Sequence, residues 1–276
     1  MAWMGASLTV LVGVCASLVM TAARAAPPAS PYAGQWQVRQ VLVHEDRADR
    51  LLYQVNDPRL VGRMVDIDVR RIDSDLPEAS HCDQPVLVPR PQVLNTLLTR
   101  TLWSALPGKD AAQAFGLQVS GTREVKVAWT ACTVGQFGPS LKTAPTDKAA
   151  GDPERTWVAL ATPNQLLMPW YGDTLLVLEP RASDQPARPS FACGQARLPA
   201  EKAICASPRL SSYDLSLSQA WRAAVQACEG DAACLNDARR DQTQWVATRN
   251  QCARDKDCLR QAMKTRLDAL MTPAEE

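Results

Sequence analysis

The rhythm of apolar and polar positions changes once along this chain, near residue 180. Before that point short runs rich in β-branched and aromatic residues dominate. Residues 36–43, 51–55, 124–129 and 157–161 read as strands, and 166–178 as a strand pair broken at Trp170-Tyr171-Gly172-Asp173. Residues 64–72 (MVDIDVRRI) alternate, which puts Val65, Ile67 and Val69 on one face and Asp66, Asp68 and Arg70 on the other. One helix interrupts the series: Pro91 stands where an N1 proline belongs, Leu94, Leu97, Leu98 and Leu102 recur at helical spacing, and Gly108 ends it. A shorter helix is expected over residues 110–115, and 139–153 reads as an exposed loop. Residues 31–180 are therefore expected to form an antiparallel β-sheet or partial barrel with a helical insertion.

Residues 181–189 are polar and proline-bearing and read as a linker. After them the strand signal vanishes. From Leu210 a helix carries Leu217, Trp221, Ala224 and Cys228 along one side. A second carries Leu235, Ala238, Gln242, Trp245, Arg249 and Cys252, and a third Leu259, Met263, Leu267 and Leu270. The joins repeat. Cys228 and Cys252 each end a helix, Asp231 and Asp255 follow three residues later as N-caps, and Cys234-Leu235 or Cys258-Leu259 enters the next first turn. The class predicted is α+β: a β-rich unit over 31–180, then an all-α helical hairpin module over 190–271.

Of the nine cysteines, Cys15 falls in an apolar stretch over residues 6–20 that is followed by Ala23-Arg24-Ala25, an A-x-A-like cleavage site. Residues 1–25 are thus expected to be a signal peptide. If that segment were retained, its uncharged run is long enough to span a bilayer, which is the one membrane route the sequence offers. The eight remaining cysteines then face an oxidising compartment, the periplasm or the exterior, where an even number forms disulfides. The short joins favour Cys228–Cys234 and Cys252–Cys258. Cys193–Cys205 and Cys82–Cys132 complete the set. The only histidines, His44 and His81, are far in sequence from the C-terminal cysteines, so neither a metal nor a cofactor is expected. With 30 basic against 29 acidic residues, overall charge gives no sign of nucleic acid as a partner.

Phe191-Ala192-Cys193, the run from Pro199 through Glu201-Lys202-Ala203-Ile204 to Cys205, Gln242-x-x-Trp245-Val246-x-x-Arg249-Asn250-x-Cys252, and Cys258-Leu259 together resemble the LprI-type lysozyme-inhibitor domain. The likeness spans about residues 190–271, and the Cys228–Cys234 pair is an addition to the family pattern. It implies a secreted helical module and, in some members, inhibition of lysozyme. Gly34-x-Trp36 at the start of the β region gives a faint likeness to lipocalin-like barrels.

Catalytic signatures do not emerge: no G-x-S-x-G, P-loop or H-E-x-x-H occurs, and Asp66 with Asp68 reads as a solvated strand face rather than an acid/base pair. The sequence argues against an enzyme. Gln242, Trp245 and Arg249 put polar groups on a helix stripe that faces its neighbours. They serve either as internal packing, with Trp245 filling the small core while Gln242 and Arg249 bond loop carbonyls or an acid such as Asp214, or as a binding surface; the internal reading is preferred. The basic turn Arg254-Asp255-Lys256 is the other candidate contact. Residues 190–271 hold 12 Lys and Arg against 9 Asp and Glu, a balance of +3 that does not steer the module toward a cationic lysozyme; inhibition would then work through a basic loop such as Arg254-Asp255-Lys256 entering the carboxylate-lined cleft. The leading functional expectation is an envelope protein that binds, and in the strongest form inhibits, lysozyme or a related cell-wall hydrolase. The alternatives are a non-inhibitory periplasmic binding or scaffold protein for a ligand, peptidoglycan or a protein, and an immunity protein against a delivered toxin.

Overall fold

The computed structural model describes Met1 and residues 30–44, 52–78, 81–102, 110–141 and 156–272. Gly108, most of the 139–153 loop and the expected signal peptide after Met1 lie outside them. The β region holds β1 (Gly34–Leu42), β2 (Met64–Ile67), β3 (Arg71–Ser74), β4 (Cys82–Asp83), β5 (Val86–Val93), β6 (Glu124–Ala131), β7 (Val134–Gly135), β8 (Thr156–Thr162), β9 (Gln165–Trp170) and β10 (Thr174–Pro180). Among the described residues they form one antiparallel sheet in the order β5-β6-β8-β9-β10-β1-β2-β3-β4-β7. The order comes round on itself, because β4 and β5 lie on one bent stretch and β6 and β7 on another. Cys82–Cys132 ties these two stretches at the bend. Only Cys82 and Asp83 of the first stretch reach β3, so the partial barrel gapes beside β5.

Each face of this curled sheet has its own core. Val38, Val65, Ile67, Ile72, Leu176 and Leu178 belong to the inner one. On the outer face Trp157, Leu167, Leu175 and Val177 meet α1 (Leu94–Thr101) and α2 (Ala111–Ala114) through Leu94, Leu97, Leu98 and Phe115. Alternation along a strand divides the two sets, Leu175 and Val177 outward, Leu176 and Leu178 inward. Burial on both faces explains why β8 and β10 read as unbroken apolar runs. Trp157 Nε1 donates to Thr101 Oγ1 at 3.0 Å, so the largest outer side chain also satisfies its one polar atom.

Three sequence expectations change here. Of the strand expected over 51–55, the described residues 52–55 form bends and turns. Asp57 accepts the backbone N–H of Gln54 at 3.2 Å and of Arg59 at 2.9 Å, and Asn56, at φ +51°, exchanges bonds with Val41. The apolar run is spent on placing Tyr53 in the core. Residues 64–72 fold into the β2–β3 hairpin rather than one strand. Asp68 Oδ1 accepts the N–H groups of Arg70 and Arg71, making an Asx turn that leaves Val69 77% exposed instead of beside Val65 and Ile67. Pro91 lies inside β5, not at a helix start, and α1 begins only at Leu94. Pro89 and Pro91 alternate along β5, so their nitrogens take the outer edge that faces the gap, where the ladder asks for no donor.

The C-terminal helices are α3 (Pro199–Cys205), α4 (Pro208–Ala227), α5 (Ala232–Asn250) and α6 (Lys256–Met271). Asp231 and Asp255 cap α5 and α6, each accepting two backbone N–H bonds at 2.9–3.0 Å. Cys193–Cys205, Cys228–Cys234 and Cys252–Cys258 close as the spacing predicts. Ile204, Leu210, Leu217, Leu259, Met263 and Leu267 form the module's core, mostly between α4 and α6. Helix α5 stands apart: its only buried residue is Arg249. Four disulfides fit a chain that folds in an oxidising compartment outside the cytoplasm. Among the described residues no helix is long and apolar enough to cross a membrane.

Candidate functional site

The stripe Gln242, Trp245 and Arg249 comes together on the inner side of α5. Trp245 is half-buried against the module core, with the Arg249 guanidinium 5.4 Å and that of Arg266 5.9 Å from its ring centroid. Arg249 is 7% exposed, lies 3.7 Å from Asp214 Oδ1 and donates from Nε and Nη2 to Asn250 Oδ1. The other Asp214 oxygen accepts from the N–H and hydroxyl of Ser190. Burial holds the Arg249 pKa below its usual value, against the pull of Asp214 and Glu201. Arg266 is likewise paired, to Asp241 Oδ2 at 2.5 Å and to Gln242 Oε1 at 3.0 Å. Gln242 and Arg249 each have an internal partner, and the set ties α5 to α4 and α6, with Asp214 also holding Ser190 at the module's entry.

The turn beyond α5 is different. Asp255 is occupied as a cap, but Arg254 and Lys256 on either side of it are exposed and meet no carboxylate among the described residues. Cys252–Cys258 closes the turn at a Cα separation of 5.5 Å, so both cations project from a backbone fixed at each end. They lie at one tip of the module.

A third cluster was not visible in sequence. Helix α4 is docked on the barrel through a polar seam. Arg63, fully buried, places its guanidinium 3.5 Å from the Tyr213 ring centroid and donates to Ser216 Oγ at 3.0 Å and Ser212 Oγ at 3.2 Å. The two serines donate onward to the carbonyls of Val61 and Gly62, and Tyr213 OH to that of Asp75 at 2.8 Å. A Cβ on Gly62 would meet Ser212 Oγ at 2.3 Å, so only glycine admits α4 this close. Arg209 reaches Asp66 at 2.7 Å, Asp73 at 3.2 Å and Asp75 at 3.8 Å. Burial raises the Asp75 pKa, opposed by Arg63 and Arg209. Lys264 of α6 adds a bond to the Pro77 carbonyl at 2.7 Å. The one sequence signal was the Ser212/Ser216 pair, spaced i,i+4 on a helix whose first half is buried almost all round.

No protein-family model, curated protein or solved structure matches this chain.

Proposed function

We propose that this is an extracytoplasmic envelope protein, periplasmic or secreted, whose C-terminal module engages and inhibits a cell-wall hydrolase of the lysozyme type. The observation that carries this reading is the stapled turn, with exposed Arg254 and Lys256 on a backbone pinned by Cys252–Cys258. A pre-formed prong loses little conformational freedom on binding, and two guanidinium or ammonium groups complement a cleft lined with catalytic carboxylates. The resemblance of residues 190–271 to LprI-type inhibitors supports the same partner class. The internal partners of Gln242, Trp245 and Arg249 leave that stripe to hold the prong in place rather than to make the contact.

The test is lysis of a peptidoglycan suspension by a c-type lysozyme with increasing oxidised protein. The expected result is a stoichiometric loss of rate that reduction of the disulfides abolishes and that Arg254→Ala with Lys256→Ala weakens about tenfold or more. An undiminished lysis rate at a large excess of oxidised protein would sink the proposal.

A further inference from the structure

A cleft of 380 Å³ opens between β1, the connection over residues 181–189 and the first turns of α4. Its volume is at the small end of the range used by ligand pockets. Three arginines line it, Arg39, Arg181 and Arg188, and no aspartate or glutamate does. Arg39 is exposed and lies 3.4 Å from Glu179. Arg188 is exposed and has no carboxylate partner among the described residues. Arg181 is the informative one. It is only 8% exposed, its Nη1 donates to the Ala182 carbonyl at 3.2 Å, and Nη2 donates to that of Gln185.

Those two bonds orient the guanidinium without neutralising it. A cation withdrawn this far from water is ordinarily matched by an anion, and the wall around Arg181 supplies none. Holding its own loop explains two of the five donors of Arg181; it does not explain a wall with three arginines and no acid. The rest of the lining is uncharged, with Val61, Met64 and Leu215 supplying apolar surface beside serine hydroxyls and the amides of Gln37 and Gln219, and Leu215 is 40% exposed. Unmatched cations and apolar side chains lining one cleft suit an amphipathic acid.

The geometry points to a binding site for a small organic anion, its carboxylate or phosphate group held by Arg181 and Arg188 and its apolar body lying against Leu215 and Met64. The site is separate from the stapled turn and does not depend on hydrolase inhibition. Because Met64 belongs to β2 of the barrel and Leu215 to the helical module, the ligand touches both and stabilises their docking.

The full oxidised chain is titrated with benzoate, phenyl phosphate and the uncharged benzyl alcohol by calorimetry, with thermal unfolding as a second readout. At least one anion is expected to bind and raise the melting temperature, and benzyl alcohol to do neither. Arg188→Gln, which removes no internal bond, weakens the anion about tenfold, and Arg181→Gln weakens it more. Arg254→Gln leaves it unchanged. The preferred anion identifies the acid group. The assignment is overturned if neither anion binds at millimolar concentration, if benzyl alcohol binds as well as the anions, or if both cleft variants bind like the parent.

Discussion

The barrel and the helical module solve the same stability problem in different ways. The barrel buries both faces of its sheet, and strands such as β8 and β10 contribute side chains to two cores at once. The module has one modest core between α4 and α6, while α5, nineteen residues long, buries a single arginine. Three of the four disulfides lie in the module, two of them in the joins at the ends of α5. Disulfide cross-links are concentrated where apolar burial is thin. A helix with so little buried surface would fray if only its own hydrogen bonds held it.

Two tryptophans probe this contrast most strongly. Trp157→Ala should cost about 3–5 kcal/mol, since the side chain is fully buried and bonded to Thr101. Trp245→Ala, at a half-buried site with the Arg249 and Arg266 guanidiniums 5.4 Å and 5.9 Å from the ring centroid, should cost about 1–2 kcal/mol. Denaturant unfolding of both variants measures the difference, and equal losses would break the comparison.

Removing disulfides gives the next effect. Cys82–Cys132 joins residues 50 apart and should contribute about 4 kcal/mol, against about 2 kcal/mol for Cys252–Cys258, whose partners are six apart. The shorter loop matters in a second way. With both cysteines changed to serine, amide exchange should accelerate along α5 and the start of α6 while the barrel amides stay protected.

The smallest effect belongs to the seam. Burial raises the Asp75 pKa against the attraction of Arg63 and Arg209. As pH climbs through the ordinary carboxylate range, the unfolded chain releases this proton first, so Asp75 lowers stability with rising pH until it ionises in the fold as well. Glu201 and Asp68 have the opposite sign. Backbone N–H bonds lower their pKa values, and the stability they contribute is lost as pH falls. Asp75→Asn should therefore gain on the parent as pH rises from acid toward neutral. Urea midpoints measured at several pH values check this, and parallel curves for the two proteins would remove Asp75 from the account.

Much of this architecture was legible because it follows local periodicity. Leu259, Met263 and Leu267 announce a helix face, and the repeated Cys-to-Cys joins announce their own pairings. The misread elements were those where one polar side chain overrules a local pattern. Asp68 turns an alternating run into a hairpin, and Asp57 and Asn56 turn an apolar run into a loop. The stripe on α5 was readable from its helical spacing; for Arg249 the sequence left loop carbonyls and an acid such as Asp214 both open, and folding brings it to Asp214. The seam was not readable. Arg63 and Asp75 lie some 140 residues before the helix they meet, and nothing in their neighbourhoods marks them as buried. The arginine cleft was hidden for a related reason: residues 181–189 look like a spacer, and only folding brings Arg181 and Arg188 beside Arg39.

Pro89 and Pro91 carry a last consequence. Among the described residues no strand pairs with the outer edge of β5, the kind of surface on which a second chain can add a strand and begin a fibril. With two nitrogens on that edge lacking hydrogen, an incoming strand finds donors missing at alternate positions and cannot register. For a chain that folds outside the cytoplasm, away from cytoplasmic chaperones, these two rings act as built-in protection against aggregation.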